Sequence, residues 1–265
     1  MPGAPGARIR IQKALAQAGV ASRRACEAMV QEGRIAVNGE IVMRLPVLID
    51  PARDRITVDE APVRLSGPAA RHLYILLNKP RRAVSTLSDP GGRRTVADLV
   101  KHPSGARLYP VGRLDYDAMG LLLLTNDGDL AQRLTHARFG VEQTYRAVVK
   151  GPMTQADLDR LEDEMRSRGR RAGVPPGVGL RLVRTEPQRA VIDITLREGR
   201  NRQVGLMLSR AGFPVRKLMR IGLGPLELKG VAVGQWRELA PAEVRALRRA
   251  TERSPRSGAR AGAGA

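Results

Sequence analysis

The residues best placed for chemistry lie in the segment YPVGRLDYDAMGLLLLTNDGDL, which runs from Tyr109 to Leu130. It sets Arg113, Asp115 and Asp117 at alternate positions just ahead of four consecutive leucines. A guanidinium close to a carboxylate favours its ionised form, so Arg113 is able to keep Asp115 charged in a partly buried site. Side chains on a loop tied to a buried strand are held by a rigid scaffold, and binding and catalytic groups concentrate there. Each acid taken alone also fits an ordinary turn or a solvated surface. Other chemistries find less support. With His72, His102, His136 and the single Cys26 scattered along the chain, a zinc site of His and Cys ligands is not expected. No Gly-x-Ser-x-Gly elbow marks a serine hydrolase. The expectation is carboxylate chemistry without a metal.

The elements that must position these groups are legible as patterns. The run HLYILLNKP reads as a strand ending at a proline turn, and Leu121–Leu124 as a buried strand. Asp127-Gly128 turns the chain into a helix that begins over Leu130–Leu134. EQTYRAVVKG follows as a strand with Tyr145, Ala147 and Val149 on one face. Further on, Val191–Leu196 alternates as a strand and Glu198-Gly199 turns. Val204, Met207, Leu208 and Ala211 then form the apolar face of a helix capped by Gly212. Nearer the start, Ile11, Leu15 and Ala18 recur at helical spacing until Gly19. Ser22 caps a second helix running to Glu32 and Gly33. Asn38-Gly39 joins strands Arg34–Val37 and Glu40–Met43 in a hairpin, and Ile56–Val58 supplies another strand. Arg23 and Arg24 occupy a helix first turn, where the dipole disfavours cations by about 0.3–1 kcal/mol. A phosphate bound there would be held by both guanidinium groups and the helix N-terminus.

Composition narrows the partner. The 265 residues carry 46 Lys plus Arg against 26 Asp plus Glu, a net charge of +20, and are 42% hydrophobic. That charge points to a polyanion. An anionic membrane is disfavoured, because no apolar stretch approaches the ~20 residues of a spanning helix. Met1–Ala7 contains no apolar signal core, and one cysteine allows no intrachain disulfide, so a cytoplasmic location is expected. Only seven residues are aromatic (four Tyr, two Phe, one Trp), too few for a multi-base stacking platform, so recognition of a nucleic acid should rest mainly on cationic backbone contacts and shape. The expected division is a flexible N-terminus 1–7, a small domain 8–66, a larger domain 71–250 and a disordered basic tail 251–265.

Two resemblances sharpen this. RIQKALAQAGVASRRACEAMVQEGRIAVNGEIV resembles the S4 domain, a small RNA-binding fold, which implies that Arg10, Lys13, Arg23, Arg24 and Arg34 line an RNA-backbone surface. GRLDYDAMGLLLLTNDGDL, EQTYRAVVKG and LREGRNRQVGLMLSRAGFPVRKLMRIGLGPL together resemble the RsuA/RluB branch of the pseudouridine synthases. That implies an α+β architecture: the S4 domain followed by a catalytic domain with a mixed, mainly antiparallel sheet and flanking helices. It also implies isomerisation of a uridine in ribosomal RNA, most nearly 23S rRNA or a large-subunit assembly intermediate. Neither cofactor nor obligate protein partner is implied, since the isomerisation involves no net redox change or group transfer. By the same resemblance Asp115 is the catalytic carboxylate, acting as nucleophile or as base at the sugar. Tyr145 packs against the target base, Arg113 belongs to the site, and Arg200, Arg202 and Arg220 help to hold RNA. The chain departs from its relatives at Gly205, where a cation that pairs with the catalytic Asp is usual, and at Gly222. A non-catalytic rRNA-binding assembly factor with a degenerate site therefore remains open on sequence alone, and the proposed substitute for the missing cation is Arg202, Arg113 or Arg220.

Overall fold

The computed structural model describes residues 8–65, 72–171, 178–197 and 201–252, and the chain falls into two compact units, Met1–His72 and Leu73–Ala265. The ends expected to be mobile, 1–7 and 253–265, and most of the break expected near 64–71 lie outside the described residues. One boundary moves: the last helix runs through Glu252 and Thr251 is buried, its Oγ1 donating to Arg248 O at 2.7 Å, so the regular fold does not stop at 250.

The first unit contains β1 (Ile9–Arg10), α1 (Ile11–Gln17), α2 (Arg23–Gln31), β2 (Ile35–Val37), β3 (Glu40–Ile41), β4 (Leu48–Ile49), β5 (Ile56–Val58) and β6 (Ala61–Val63). β1 pairs β4, and the other strands form a sheet in the order β3-β2-β5-β6, antiparallel throughout. The hairpin forms because Asn38 and Gly39 both take positive φ (53° and 90°), the twist a two-residue turn needs. Its second strand is shorter than expected, ending at Ile41. Ser22 Oγ accepts from Ala25 N–H at 3.1 Å, satisfying a donor that the first turn leaves free. Ile11, Leu15, Cys26, Val30, Ile35, Ile49 and Ile56 close the core between helices and sheet.

The second unit holds β7 (Tyr74–Lys79), α3 (Val96–Leu99), β8 (Tyr109–Pro110), β9 (Met119–Thr125), α4 (Gly128–Thr135), β10 (Gln143–Lys150) and α5 (Gln155–Arg171). β11 (Val178–Glu186), β12 (Arg189–Leu196), α6 (Asn201–Arg210), β13 (Val215–Leu223), β14 (Leu226–Glu227), β15 (Trp236–Glu238) and α7 (Pro241–Glu252) complete it. One sheet runs β11-β12-β10-β13-β9-β7-β15, with β14 beside β13 and β8 beside β9. Among the described residues only the β9–β13 pair of this sheet is parallel, so the sheet is mixed and mainly antiparallel, with helices packed on both faces. That explains the unbroken leucine run. Leu122 and Leu124 join one core with Val204 and Leu208 of α6 and Leu158 and Leu161 of α5, while Leu121 and Leu123 join the other with Leu130 and Leu134 of α4 and Leu247 of α7. Strict alternation appears where one face is less covered: Tyr145, Ala147 and Val149 of β10 are buried, and the residues between them are half-buried.

Candidate active site

Four neighbouring strands present a row of unlike residues at one end of this sheet. Gly120 of β9 lies opposite Lys79 of β7 on one side and Arg220 of β13 on the other, and Arg220 in turn faces Tyr145 of β10. Gly120 has φ +105°, and a Cβ there would stand 2.2 Å from Arg220 O, so only glycine lets β13 run this close. The β10–β13 register slips between Thr144 and Tyr145, a bulge of the kind that re-aims side chains.

The loop carrying Asp115 rises beside this row and is fastened by its backbone. Lys79 has no exposed surface, and its Nζ donates to Ala118 O (2.8 Å), Asp115 O (3.0 Å) and Pro80 O (3.2 Å), with Tyr116 O at 3.5 Å. Burial pulls the Lys79 pKa down to about 8, while Asp115 and Asp117 act to raise it. Ser85 Oγ donates to Leu114 O (2.8 Å) and accepts from Leu114 N–H (3.1 Å), and Arg82 N–H donates to Tyr116 O (2.8 Å). Ala118 N–H returns to Asp115 O at 3.1 Å, closing a turn around Tyr116 and Asp117. The buried Leu114 anchors the loop, and the Asp115 side chain faces outward.

A cleft of about 560 Å³ opens here, large enough for a nucleotide, with Asp115, Arg113, Tyr116, Gln143 and Arg220 among the residues lining it. Its inner wall is a chain of three polar side chains. Tyr145 OH donates to Gln143 Oε1 (2.8 Å), Arg220 Nη1 donates to the same oxygen (3.0 Å), and Arg220 Nε donates to Leu121 O (2.7 Å). On the outer rim Tyr116 is 38% exposed, with the Arg93 guanidinium 5.9 Å from its ring centroid. Asp89 fixes that guanidinium by two hydrogen bonds (2.9 and 2.7 Å), and the pairing holds the Asp89 carboxyl down to about 2.

The expected site residues are placed as follows. Asp115 and Arg113 are exposed and line the cleft together. Tyr145 is fully buried and does not line it, because the strand alternation turns its ring into the core; it meets the cleft wall through Gln143. Arg220 corrects a second expectation. At 2% exposure it cannot belong to an RNA-backbone surface, and it forms part of the cleft wall instead. In the first unit Arg10, Arg23 and Arg24 are exposed and Lys13 half-buried. Arg34 is exposed but committed, with Nε and Nη2 on Asp59 (2.8 and 2.6 Å) and Nη1 on Glu32 (3.3 Å), so its charge is already matched. Arg200 and the side chain of Arg202 lie outside the described residues. Gly205 sits inside α6 with open space around a built Cβ, so neither tight packing nor a late helix start accounts for it. Lys79, Ser85 and Gln143 were not singled out from sequence; a lysine closing an otherwise apolar strand was the one available signal. Among the described residues no group of His, Cys, Asp and Glu could hold a metal ion, and no helix is long and apolar enough to cross a membrane.

The comparisons agree with one another. The family model for RNA pseudouridylate synthase matches residues 73–210, and the S4 domain model matches 9–45. The chain is 42% identical over 240 residues to a ribosomal large subunit pseudouridine synthase B of Bacillus subtilis, covering 90% of this chain and 95% of the relative. It is 40% identical to an uncharacterized RNA pseudouridine synthase of Aquifex aeolicus, covering 90% of this chain and 93% of that one. A crystal structure of a pseudouridylate synthase superposes with a TM-score of 0.60 at 26% identity, covering 90% of this chain and 99% of that one. A carboxylate on a fastened loop, at the mouth of a nucleotide-sized cleft on a mixed sheet, is thus accompanied by likeness along nearly the whole chain, which belongs to the RNA pseudouridylate synthase family and carries an S4 domain ahead of its synthase domain.

Proposed function

We propose that this protein isomerises a specific uridine of 23S rRNA, free or in a large-subunit assembly intermediate, to pseudouridine in the cytoplasm, with Asp115 as the carboxylate acting on the nucleoside. The observation that carries this reading is the fastening of the Asp115 loop by Lys79 and Ser85 at the cleft mouth. Preorganisation of this kind matters because a misplacement of ~1 Å can cost about 100-fold in rate. The target uridine must leave its stack to reach the cleft, and flipping it out costs a few kcal/mol in lost stacking and pairing. Exposed cations of the S4 domain, Arg10, Arg23 and Arg24 with Lys13, offset that by holding the RNA backbone. Arg113 contributes positive charge at the cleft mouth, and Tyr145 acts by fixing Gln143. A non-catalytic assembly factor has no structural observation in its favour: α6 is continuous through Gly205, and the loop and cleft are intact.

The test is site-resolved pseudouridine mapping of 23S and 16S transcripts incubated with the purified chain. One 23S position should convert with wild type, and none with Asp115→Asn, whose RNA affinity should stay within about threefold because backbone contacts are untouched. Turnover by Asp115→Asn above about one per cent of wild type removes the catalytic assignment, since loss of an essential group costs far more. Conversion confined to 16S removes the substrate assignment.

A further inference from the structure

Arg220 is an anomaly in energetic terms. Its side chain is 2% exposed, and among the described residues it forms no ion pair; the groups it meets, Leu121 O and Gln143 Oε1, are neutral. Leaving a buried charge without a counter-charge costs several kcal/mol. The third nitrogen, Nη2, is also buried and has no hydrogen-bond partner, a second penalty. Yet the residue is held firmly, with Nε and Nη1 fixed to the wall and Gln143 itself braced by Tyr145. A rigid, uncompensated cation with one free donor, in the wall of the cleft that holds Asp115, is arranged to meet negative charge in that cleft.

We propose that Arg220 is a catalytic residue that holds the departing uracil, with Nη2–H donating to a carbonyl oxygen of the base and the guanidinium charge balancing the anion formed when the glycosidic bond breaks. This rests on the proposed isomerisation. In that reaction the N1–C1′ bond breaks with its electron pair going to the base, whether Asp115 attacks C1′ or removes a proton from the sugar. The pair spreads over N1, O2 and O4, so a base carbonyl is where negative charge accumulates. The base then turns about the axis through N3 and C6, which exchanges N1 with C5 and O2 with O4. One fixed donor therefore meets a carbonyl oxygen both before and after the turn. The electron pair at C5 forms the new C5–C1′ bond as the Asp115 carboxylate leaves C1′ or returns its proton to the sugar, the C5 proton leaves to solvent, and N1 takes one up, so nothing is gained or lost overall. A cytosine would present an amino group where O4 stands in uracil, donor against donor, so the same contact selects uracil.

The experiment uses the full chain and a 23S transcript carrying uridine, 4-thiouridine or 2-thiouridine at the mapped target nucleotide, with single-turnover rates and RNA dissociation constants measured separately. Arg220→Met should lose about 100-fold or more in rate, as removal of one preorganised oxyanion donor does, with RNA affinity within about threefold. Arg220→Lys, which keeps the charge, should recover at least about tenfold of that loss. Sulfur accepts hydrogen bonds poorly, so one thio substitution should slow wild type and leave Arg220→Met no slower than it already is. That non-additivity is the signature of contact. Equal fractional losses on oxygen and sulfur substrates would falsify the contact and leave Arg220 a structural residue. Should Arg220→Met fail to fold, the wild-type comparison decides, because indifference to both thio substitutions also overturns the proposal. Wild type inactive both on the uridine transcript and on large-subunit assembly intermediates sinks the isomerase reading itself, whereas an active wild type with an indifferent Arg220 sinks only this inference.

Discussion

Replacing Lys79 by Met separates positioning from folding. The ammonium has three N–H groups, and the three shortest contacts, to Ala118, Asp115 and Pro80 carbonyls, use them all. Hydrogen bonds from a charged donor contribute about 1.5–3 kcal/mol each, so the set is worth about 5–9 kcal/mol. Against this stands the burial that lowers the Lys79 pKa from 10.5 to about 8, a cost of about 3 kcal/mol. The net loss in Lys79→Met is therefore about 2–6 kcal/mol, which lowers the melting temperature by about 5–20 °C in a domain of this size. Turnover, assayed well below that melting point, should fall by about 100-fold as the Asp115 loop loses its fastening. The pH dependence supplies a second reading. Above pH 8 the folded state releases the Lys79 proton, while the unfolded chain keeps it to about 10.5. The unfolded state then binds more protons, so this group's contribution to stability rises as pH rises through that window. A neutral amine, however, offers two N–H groups to three carbonyls, so the loop loosens and turnover falls. Wild type should lose turnover above about pH 8 without losing stability to this group, and the alkaline limb should be missing from Lys79→Met. A Lys79→Met enzyme that melts early yet turns over like wild type would refute the positioning role.

Two further outcomes can be measured. Arg23→Glu combined with Arg24→Glu should weaken rRNA binding and flatten the slope of log K against log salt by up to about two phosphate contacts; an unchanged slope in a salt titration returns both arginines to an ordinary solvated turn. Gly205→Ala should raise unfolding stability by about 0.5–1 kcal/mol, because an interior helical glycine whose Cβ would meet open space gains only by losing unfolded-state freedom. Gly205→Arg should leave turnover unchanged, and a gain there would show that the cation usual at this position is needed in this chain.

What was legible in the sequence shares one property: its cause is local. The leucine run reads as a buried strand because four consecutive apolar side chains leave no polar face, and α4, α5, α6 and α7 do cover both sides of β9. Asn38-Gly39 reads as a turn because those two residues accept positive φ at little cost. Asp115 was legible through its motif. The groups that hold it were not, because their partners are remote. Lys79 meets carbonyls 36 and 39 residues away, and Arg220 meets Leu121 O and Gln143, 99 and 77 residues away. Arg220 was expected to hold RNA together with Arg200 and Arg202; the bulge in the β10–β13 register and the pairing with β9 put it inside. Tyr145 shows the opposite failure: its alternation was read correctly, but alternation alone does not say that the buried face lies behind the cleft wall.

The two buried cations flanking Gly120 are not interchangeable, and the difference bears on how the site works. Lys79 faces carbonyls converging from three directions, a task for a compact ammonium with three donors and one for which a planar fork has the wrong shape. Its charge is absorbed by the loop, and its pKa falls to about 8. Arg220 meets two acceptors through Nε and Nη1, and Nη2 stays without a hydrogen-bond partner. Gly120 lets β13 approach closely enough to bring Arg220 to the same end of the sheet as Lys79. The result is a division of labour: one cation positions the carboxylate by fixing its backbone, and the other keeps its charge for the cleft. Exchanging the two side chains would preserve net charge while undoing the fastening of the Asp115 loop, which is why composition alone, however basic, says so little about this site.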